Sequence, residues 1–142
     1  MVIDKFRGKY GFLSNFAPCE ISFEGRVYPT VEHAFQAAKC VYDADKEKIR
    51  IQPTPAAAKK IGRRVKMKAT WDTERLIVMK QLLTLKFKDP QLRKALLDTG
   101  DAQLIEGNKW NDTFWGVCNG KGENHLGRIL MEVRADIQKE RF

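Results

Sequence analysis

No apolar run in this chain approaches the roughly 20 residues that span a bilayer, so nothing in it reads as a membrane helix. Cysteine is scarce. Cys19, Cys40 and Cys118 are odd in number and have no close pairing, which excludes a disulfide framework and points to reduced, partly buried thiols. Histidine is scarcer still, and His33 and His125 lie far from any zinc-type spacing, so no metal is expected. Gly116, Gly120 and Gly122 are followed by no Gly-Lys-Ser/Thr triplet, and no dinucleotide fingerprint opens a helix, so no cofactor is expected either. Repeats, low-complexity tracts and linkers are missing. Met1-Val2-Ile3-Asp4-Lys5 meets an acid before a signal-type apolar region forms, and the expected location is the cytoplasm.

What is present fits one domain over residues 1–142: a chain of this length buries about 68–70% of its unfolded surface without staples. Hydrophobic content of 43% and charged content of 31% are those of an ordinary soluble protein. The net charge of +8 attracts anions such as phosphorylated metabolites, nucleotides or nucleic acid. The excess is densest in Lys59, Lys60, Arg63, Arg64, Lys66 and Lys68. No aromatic residue interleaves there, so this stretch is either a solvated helix end or a phosphate site, not a stacking platform.

The most informative stretch is Thr30 to Lys39, TVEHAFQAAK. Pro29 favours an extended entrance and Thr30 is a preferred N-cap. Val31, Ala34, Phe35, Ala38, Val41 and Tyr42 repeat at helical spacing as one apolar stripe. Glu32, Gln36 and Lys39 fall at i, i+4 and i+7, along the edge of that stripe. They read as a salt bridge flanking a buried helix or as a reactive face. Cys40 falls on the side away from the polar edge of Lys39, which makes it a poor nucleophile.

Around this helix the remaining pattern is mostly helical. Phe6 to Phe16 reads as a short strand and a loop, with Leu13 and Phe16 anchoring Ser14 and Asn15 as pocket-wall or turn residues. Cys19 to Tyr28 alternates about a Glu24-Gly25 turn, the pattern of a hairpin with Ile21, Phe23 and Val27 inward. A charged helix follows Asp43. Thr54-Pro55 starts another that Gly62 closes. Asp72 caps a long amphipathic helix with Leu76, Met79, Leu82, Leu83 and Phe87 buried, and Trp71 outside that cap is either core or a stacking surface for a flat base. Asp89-Pro90 begins a helix that ends at Thr99-Gly100. Gln103 to Glu106 is a short strand, and the loop from Asn108 to Gly122 carries enough aromatic surface in Trp110, Phe114 and Trp115 to fold back. The last helix starts near Asn124, whose cap and free first-turn amides suit a ribose phosphate. The whole reads as α+β, mostly helical with a small antiparallel sheet.

The ordered set FLSNF, YPTVEHAFQAAK, DTFWG and GENHLGRILM resembles the NADAR family over about Phe6 to Arg134. That resemblance implies an activity that breaks the bond between a base nitrogen and ribose C1. Its transition state is oxocarbenium-like and calls for negative charge near C1, a positioned water or nucleophile, and a proton for the departing base. Glu32, in a first helical turn, suits the ionised role. Asp112, beside Phe114 and Trp115, suits the acid if those rings desolvate it. Lys39 offers an amine for a Schiff-base route, so water and lysine both stand as nucleophile. Ser14, Asn15, Gln36, Trp71, Trp115 and Asn124 are the expected binding residues. Three readings follow: hydrolysis of a phosphorylated ribosylaminopyrimidine of the riboflavin pathway, removal of ADP-ribose from guanine in nucleic acid, or non-catalytic binding of nucleotide or nucleic acid.

Overall fold

The computed structural model describes residues 1–140. In chain order the elements are β1 (Val2–Ile3), a 3-10 helix (Gly8–Leu13), β2 (Ile21–Phe23), β3 (Arg26–Tyr28), α1 (Val31–Ala38), α2 (Asp43–Arg50), α3 (Pro55–Gly62), α4 (Trp71–Lys86), α5 (Pro90–Asp98), β4 (Gln103–Leu104) and α6 (His125–Lys139). The class is α+β, mostly helical, as the sequence predicts. The chain gathers into two compact units, one from Asn15 to Lys86 and one joining Met1–Ser14 to the segment from Phe87 onward.

In the first of these, β2 and β3 form the expected antiparallel hairpin, with Glu24 and Gly25 at φ of 49° and 81°, the handedness that a two-residue hairpin turn requires. Its register pairs Ile21 with Tyr28, so those two share the buried face. Val27, expected inward, is exposed because it lies one residue out of step with Tyr28. The hairpin packs against α1, and so do α2, α3 and α4. Thr30 caps α1 as predicted, its hydroxyl accepting the His33 N–H at 3.1 Å. The same hydroxyl meets His33 Nδ1 at 2.7 Å, while His33 Nε2 lies 2.9 Å from the Gln52 carbonyl. A carbonyl only accepts, so Nε2 carries the proton and Nδ1 accepts from Thr30.

All eight residues of α1 are buried, so its polar residues are inside the unit and not along an edge. The apolar stripe also stops sooner than its spacing predicts. Past Ala38 the chain extends: Lys39 O accepts from Lys68 N–H at 2.9 Å, and Val41 N–H donates to Lys66 O at 3.1 Å. Val41 and Tyr42 thereby leave the helical face and are 44% and 54% exposed. Further on, α4 begins at Trp71 itself. The Thr70 carbonyl accepts the Thr73 and Glu74 amides at 3.0 and 3.2 Å, taking the capping place expected of Asp72, which lies within the first turn. Met79, Leu82 and Leu83 form its buried face with Lys86, whereas Leu76 is 37% exposed.

In the second unit β1 pairs in parallel with β4, Val2 opposite Gln103 and Ile3 opposite Leu104, a pairing that the sequence does not reveal. The expected strand after Phe6 is instead the 3-10 helix, entered through Gly8 at φ +56° and closed by the Ser14 N–H bond to Gly11 O. Leu13 is fully buried as its anchor, but Phe16, the other predicted anchor, is 41% exposed. Asp89 and Thr99 bound α5 as predicted. The stripe Leu126, Ile129, Leu130, Val133 and Ile137 buries one face of α6, which packs on β4 and α5. Arg134 ties that packing down, donating to Thr99 Oγ1 and to the Ala102 carbonyl, each at 2.8 Å.

Candidate active site

Asn15, Glu32, Gln36, Lys39 and Trp71 belong to the unit of Asn15–Lys86, and α1 brings them together. The Glu32 N–H donates to the Asn15 carbonyl at 3.1 Å, which fixes Asn15 at the head of the helix. The Asn15 side-chain amide donates to Met79 Sδ at 3.6 Å, and its Oδ1 is buried without a hydrogen bond. One turn along, Gln36 Nε2 donates to Glu32 Oε1 at 2.8 Å. A carboxylate only accepts, so this bond assigns the Gln36 amide and turns its Oε1 the other way, where it too is buried without a partner. Glu32, Gln36 and Asn15 are all nine-tenths buried or more.

Lys39 ends the helix half-buried. Burial pushes its ammonium below the usual range, the Glu32 carboxylate works against that fall, and Arg63 adds to it. A carboxylate and an amine that feel each other, with the carboxylate held by an amide, can steady a cationic sugar carbon and supply a nucleophile. Cys40 is not that nucleophile. Burial, followed by Asp45, pushes its thiol up to about 11, and its Sγ–H points to the Gln36 carbonyl at 3.5 Å. Trp71 is buried, its ring centroid 5.1 Å from that of Phe35 on α1.

Ser14, Asp112, Trp115 and Asn124 belong to the other unit. Ser14 is half-buried at the close of the 3-10 helix. Asp112 Oδ1 accepts the Trp115 N–H at 2.9 Å, and Asn108 braces the same loop, its Oδ1 accepting from the Trp110 and Asp112 amides at 3.2 and 3.1 Å. Phe114, Trp115 and His125 form an aromatic cluster with centroids 4.5 to 6.4 Å apart. Trp110, expected to fold back with them, is 59% exposed.

The phosphate role expected at Asn124 is not what the residue does here. Its Oδ1 accepts the Glu106 N–H and its Nδ2 donates to the Leu104 carbonyl, both at 2.9 Å. The amides of Asn124, His125 and Leu126 donate to the carbonyls of Gly116, Phe114 and Trp115, so loop backbone occupies the place meant for an anion. Loop chemistry at a distance in sequence made those amides unavailable.

Sequence alone assigned no role in the site to Asn108, His33, Gly62 or Lys86. For Lys86 a signal existed, since it follows Leu82 and Leu83 at i+4 and i+3 on the buried face.

Comparison with known proteins agrees with the motif order. The NADAR domain profile matches residues 4–138, and the chain belongs to that family. It is 40% identical over 136 residues to N-glycosidase YbiA of Escherichia coli (strain K12), covering 93% of this chain and 84% of that protein. The NMR structure of E. coli YbiA superposes with a TM-score of 0.86 at 36% identity, over 99% of this chain and 87% of that one. N-glycosidase Npun_R5314 of Nostoc punctiforme is 38% identical, over 91% of this chain and 86% of that protein. The riboflavin biosynthesis protein VVA0006 of Vibrio vulnificus is 37% identical over 92% of this chain, which spans 36% of that protein.

Proposed function

We propose that this chain is a hydrolase of N-glycosyl compounds that cleaves the base-nitrogen to ribose C1 bond of a phosphorylated ribosylaminopyrimidine. The observation that carries the reading is the Glu32–Gln36 pair on a buried helix, next to an amine that burial biases toward its neutral form. The names of the relatives, N-glycosidases and a riboflavin biosynthesis protein, favour the same bond and substrate class. Glu32 stabilises the positive charge that develops at C1. The lowered Lys39 favours the amine route: its lone pair bonds to C1 as the C1–N electron pair leaves with the base, whose nitrogen takes up a proton from solvent. The ring C1–O bond then breaks as the Lys39 nitrogen forms C1=N and passes one proton to the ring oxygen, giving a protonated Schiff base. Water then hydrolyses the Lys39–C1 linkage and frees the amine. Trp71, on the same unit as Glu32 and Lys39, is the proposed surface against the base. The proposed setting is the cytoplasm.

One observation favours the second reading, release of ADP-ribose from guanine in nucleic acid. Tyr42, exposed after α1 ends, lies under Lys66, with Nζ 5.9 Å from the ring centroid. An aromatic ring thus joins the basic stretch that lacks one in sequence.

The test is direct. Glu32→Gln should lower kcat sharply with substrate affinity nearly unchanged, since the amide keeps shape and loses charge. Borohydride added during turnover should trap enzyme plus reduced sugar on Lys39, and Lys39→Arg should abolish both trapping and turnover. Turnover without an adduct, retained in Lys39→Arg, would assign water as the nucleophile. Wild-type rates in both variants would reduce this face to a structural ion pair, and binding with no released base would leave only the non-catalytic reading.

A further inference from the structure

Gly62 reads in sequence as the residue that closes α3, but it does no such work. It is the last helical residue, Arg63 takes the C-cap position in right-handed conformation, and Gly62 is not among the glycines at positive φ. Its need for glycine comes from across the unit. A Cβ built on Gly62 would stand 2.0 Å from Gln36 Oε1, 2.7 Å from its Cδ and 3.2 Å from its Cβ. The amide of Gln36 therefore lies in the space that any side chain at position 62 would fill. The Gly62 Cα–H bond that a side chain would replace points at the one Gln36 atom left without a hydrogen bond. The other end of the same amide is the donor to Glu32.

We propose that Gly62 is a positioning residue: its missing side chain makes room for the Gln36 amide, and that amide holds the Glu32 carboxylate where the reaction needs it. The proposal rests on the reading of Glu32 above, and it adds a residue from another helix, where the three heavy atoms nearest an added Cβ all belong to Gln36. A methyl group at position 62 meets chiefly the far end of a flexible side chain, which swings aside, while its 3.2 Å approach to Gln36 Cβ asks the neighbouring helix to give by a few tenths of an ångström. Alanine also favours a helix more than glycine does, which keeps the variant foldable.

Gly62→Ala should therefore stay folded, melting somewhat below wild type because the buried Glu32 loses its amide partner, and lose kcat by roughly 10- to 100-fold with KM little changed, the scale of a misplacement of about 1 Å. Placed in a Gln36→Ala background, the same change should cost nothing further, because the side chain it displaces is gone. Wild-type kcat in Gly62→Ala, or an equal loss in both backgrounds, would overturn the proposal. Should Gly62→Ala be unstable alone, Gln36→Asn withdraws the amide from both neighbours and must show the kcat loss; wild-type kcat there overturns it as well. A second readout does not need turnover: the titration of Lys39 by NMR after 13C reductive methylation, assigned with Lys39→Arg. Glu32→Gln should lower the Lys39 midpoint in wild type and lower it less in Gly62→Ala, where Glu32 is no longer held. An equal shift in both would sink the positioning role. If wild type releases no base but the Lys39 shift is lost in Gly62→Ala, the proposed function fails and the positioning stands.

Discussion

A buried lysine is among the costliest side chains to place, and Lys86 is only 2% exposed. Burial lowers it to about 8, with Cys19 opposing the fall. Its unfolded value is the ordinary one of 10.5, so between those two values the unfolded chain binds more protons than the folded one. Stability should therefore rise with pH from about 8 to about 10.5, by about 3 kcal/mol over the window, and be flat just below it. Chemical denaturation at a series of pH values checks this, and Lys86→Met should remove the slope. The same burial logic separates Lys39 from Lys86. Lys39 is half-buried and feels the Glu32 carboxylate, which suits reaction with a ligand, whereas Lys86 is enclosed and bears on stability.

At the level of elements, α1 is the clearest case of local chemistry deciding structure. Thr30 serves α1 twice, capping the helix through the His33 amide and fixing the His33 ring, whose other nitrogen holds the Gln52 carbonyl beyond the end of α2. Thr30→Ala removes both bonds and should destabilise the fold by about 1–2 kcal/mol, near the top of the range for a cap. Thr30→Ser keeps the hydroxyl and should lose much less; equal losses in urea melts would mean that the methyl packing, not the cap, matters. The capping residues Thr30, Thr54 and Asp89 were legible because an N-cap acts over three residues. Val27 follows from the two-residue turn, which sets it opposite Ser22 and off the face of Ile21 and Tyr28, whereas Val41 and Tyr42 were not legible, because the end of α1 is set by pairing with Lys66 and Lys68 far along the chain. The cap at Asn124 failed for the same reason: carbonyls of residues 114–116 fill it.

For the molecule as a whole the decisive quantity is the net charge of +8, concentrated between Lys59 and Lys68. Tyr42 lends that stretch an exposed ring. The two candidate substrates differ in charge, so salt separates them. Turnover of a ribosylaminopyrimidine phosphate should change modestly between 50 and 200 mM salt, whereas a nucleic-acid substrate held by several phosphates should lose affinity by orders of magnitude over about that range. Steep salt dependence confined to ADP-ribosylated guanine DNA, and reduced in Arg63→Gln with Lys66→Gln, would favour the polymer. Salt-independent kinetics on the small substrate would favour the metabolite.

The sequence by itself determined the family through four ordered motifs, the helical class through periodicity and caps, and the placement of Glu32, Gln36 and Lys39 along one helix through their spacing. These are properties of neighbours in the chain, and a helix brings i, i+4 and i+7 together wherever it forms. Only the tertiary structure decided that α1 is buried on every side, that Asn15 stands at its head, that burial lowers Lys39, and that Asn124 is spent on Leu104 and Glu106. It also decided why position 62 is glycine, because the atom that excludes a side chain there belongs to Gln36 on another helix. Steric exclusion and desolvation depend on everything that surrounds a group, and for these residues the surroundings come from segments distant in the chain.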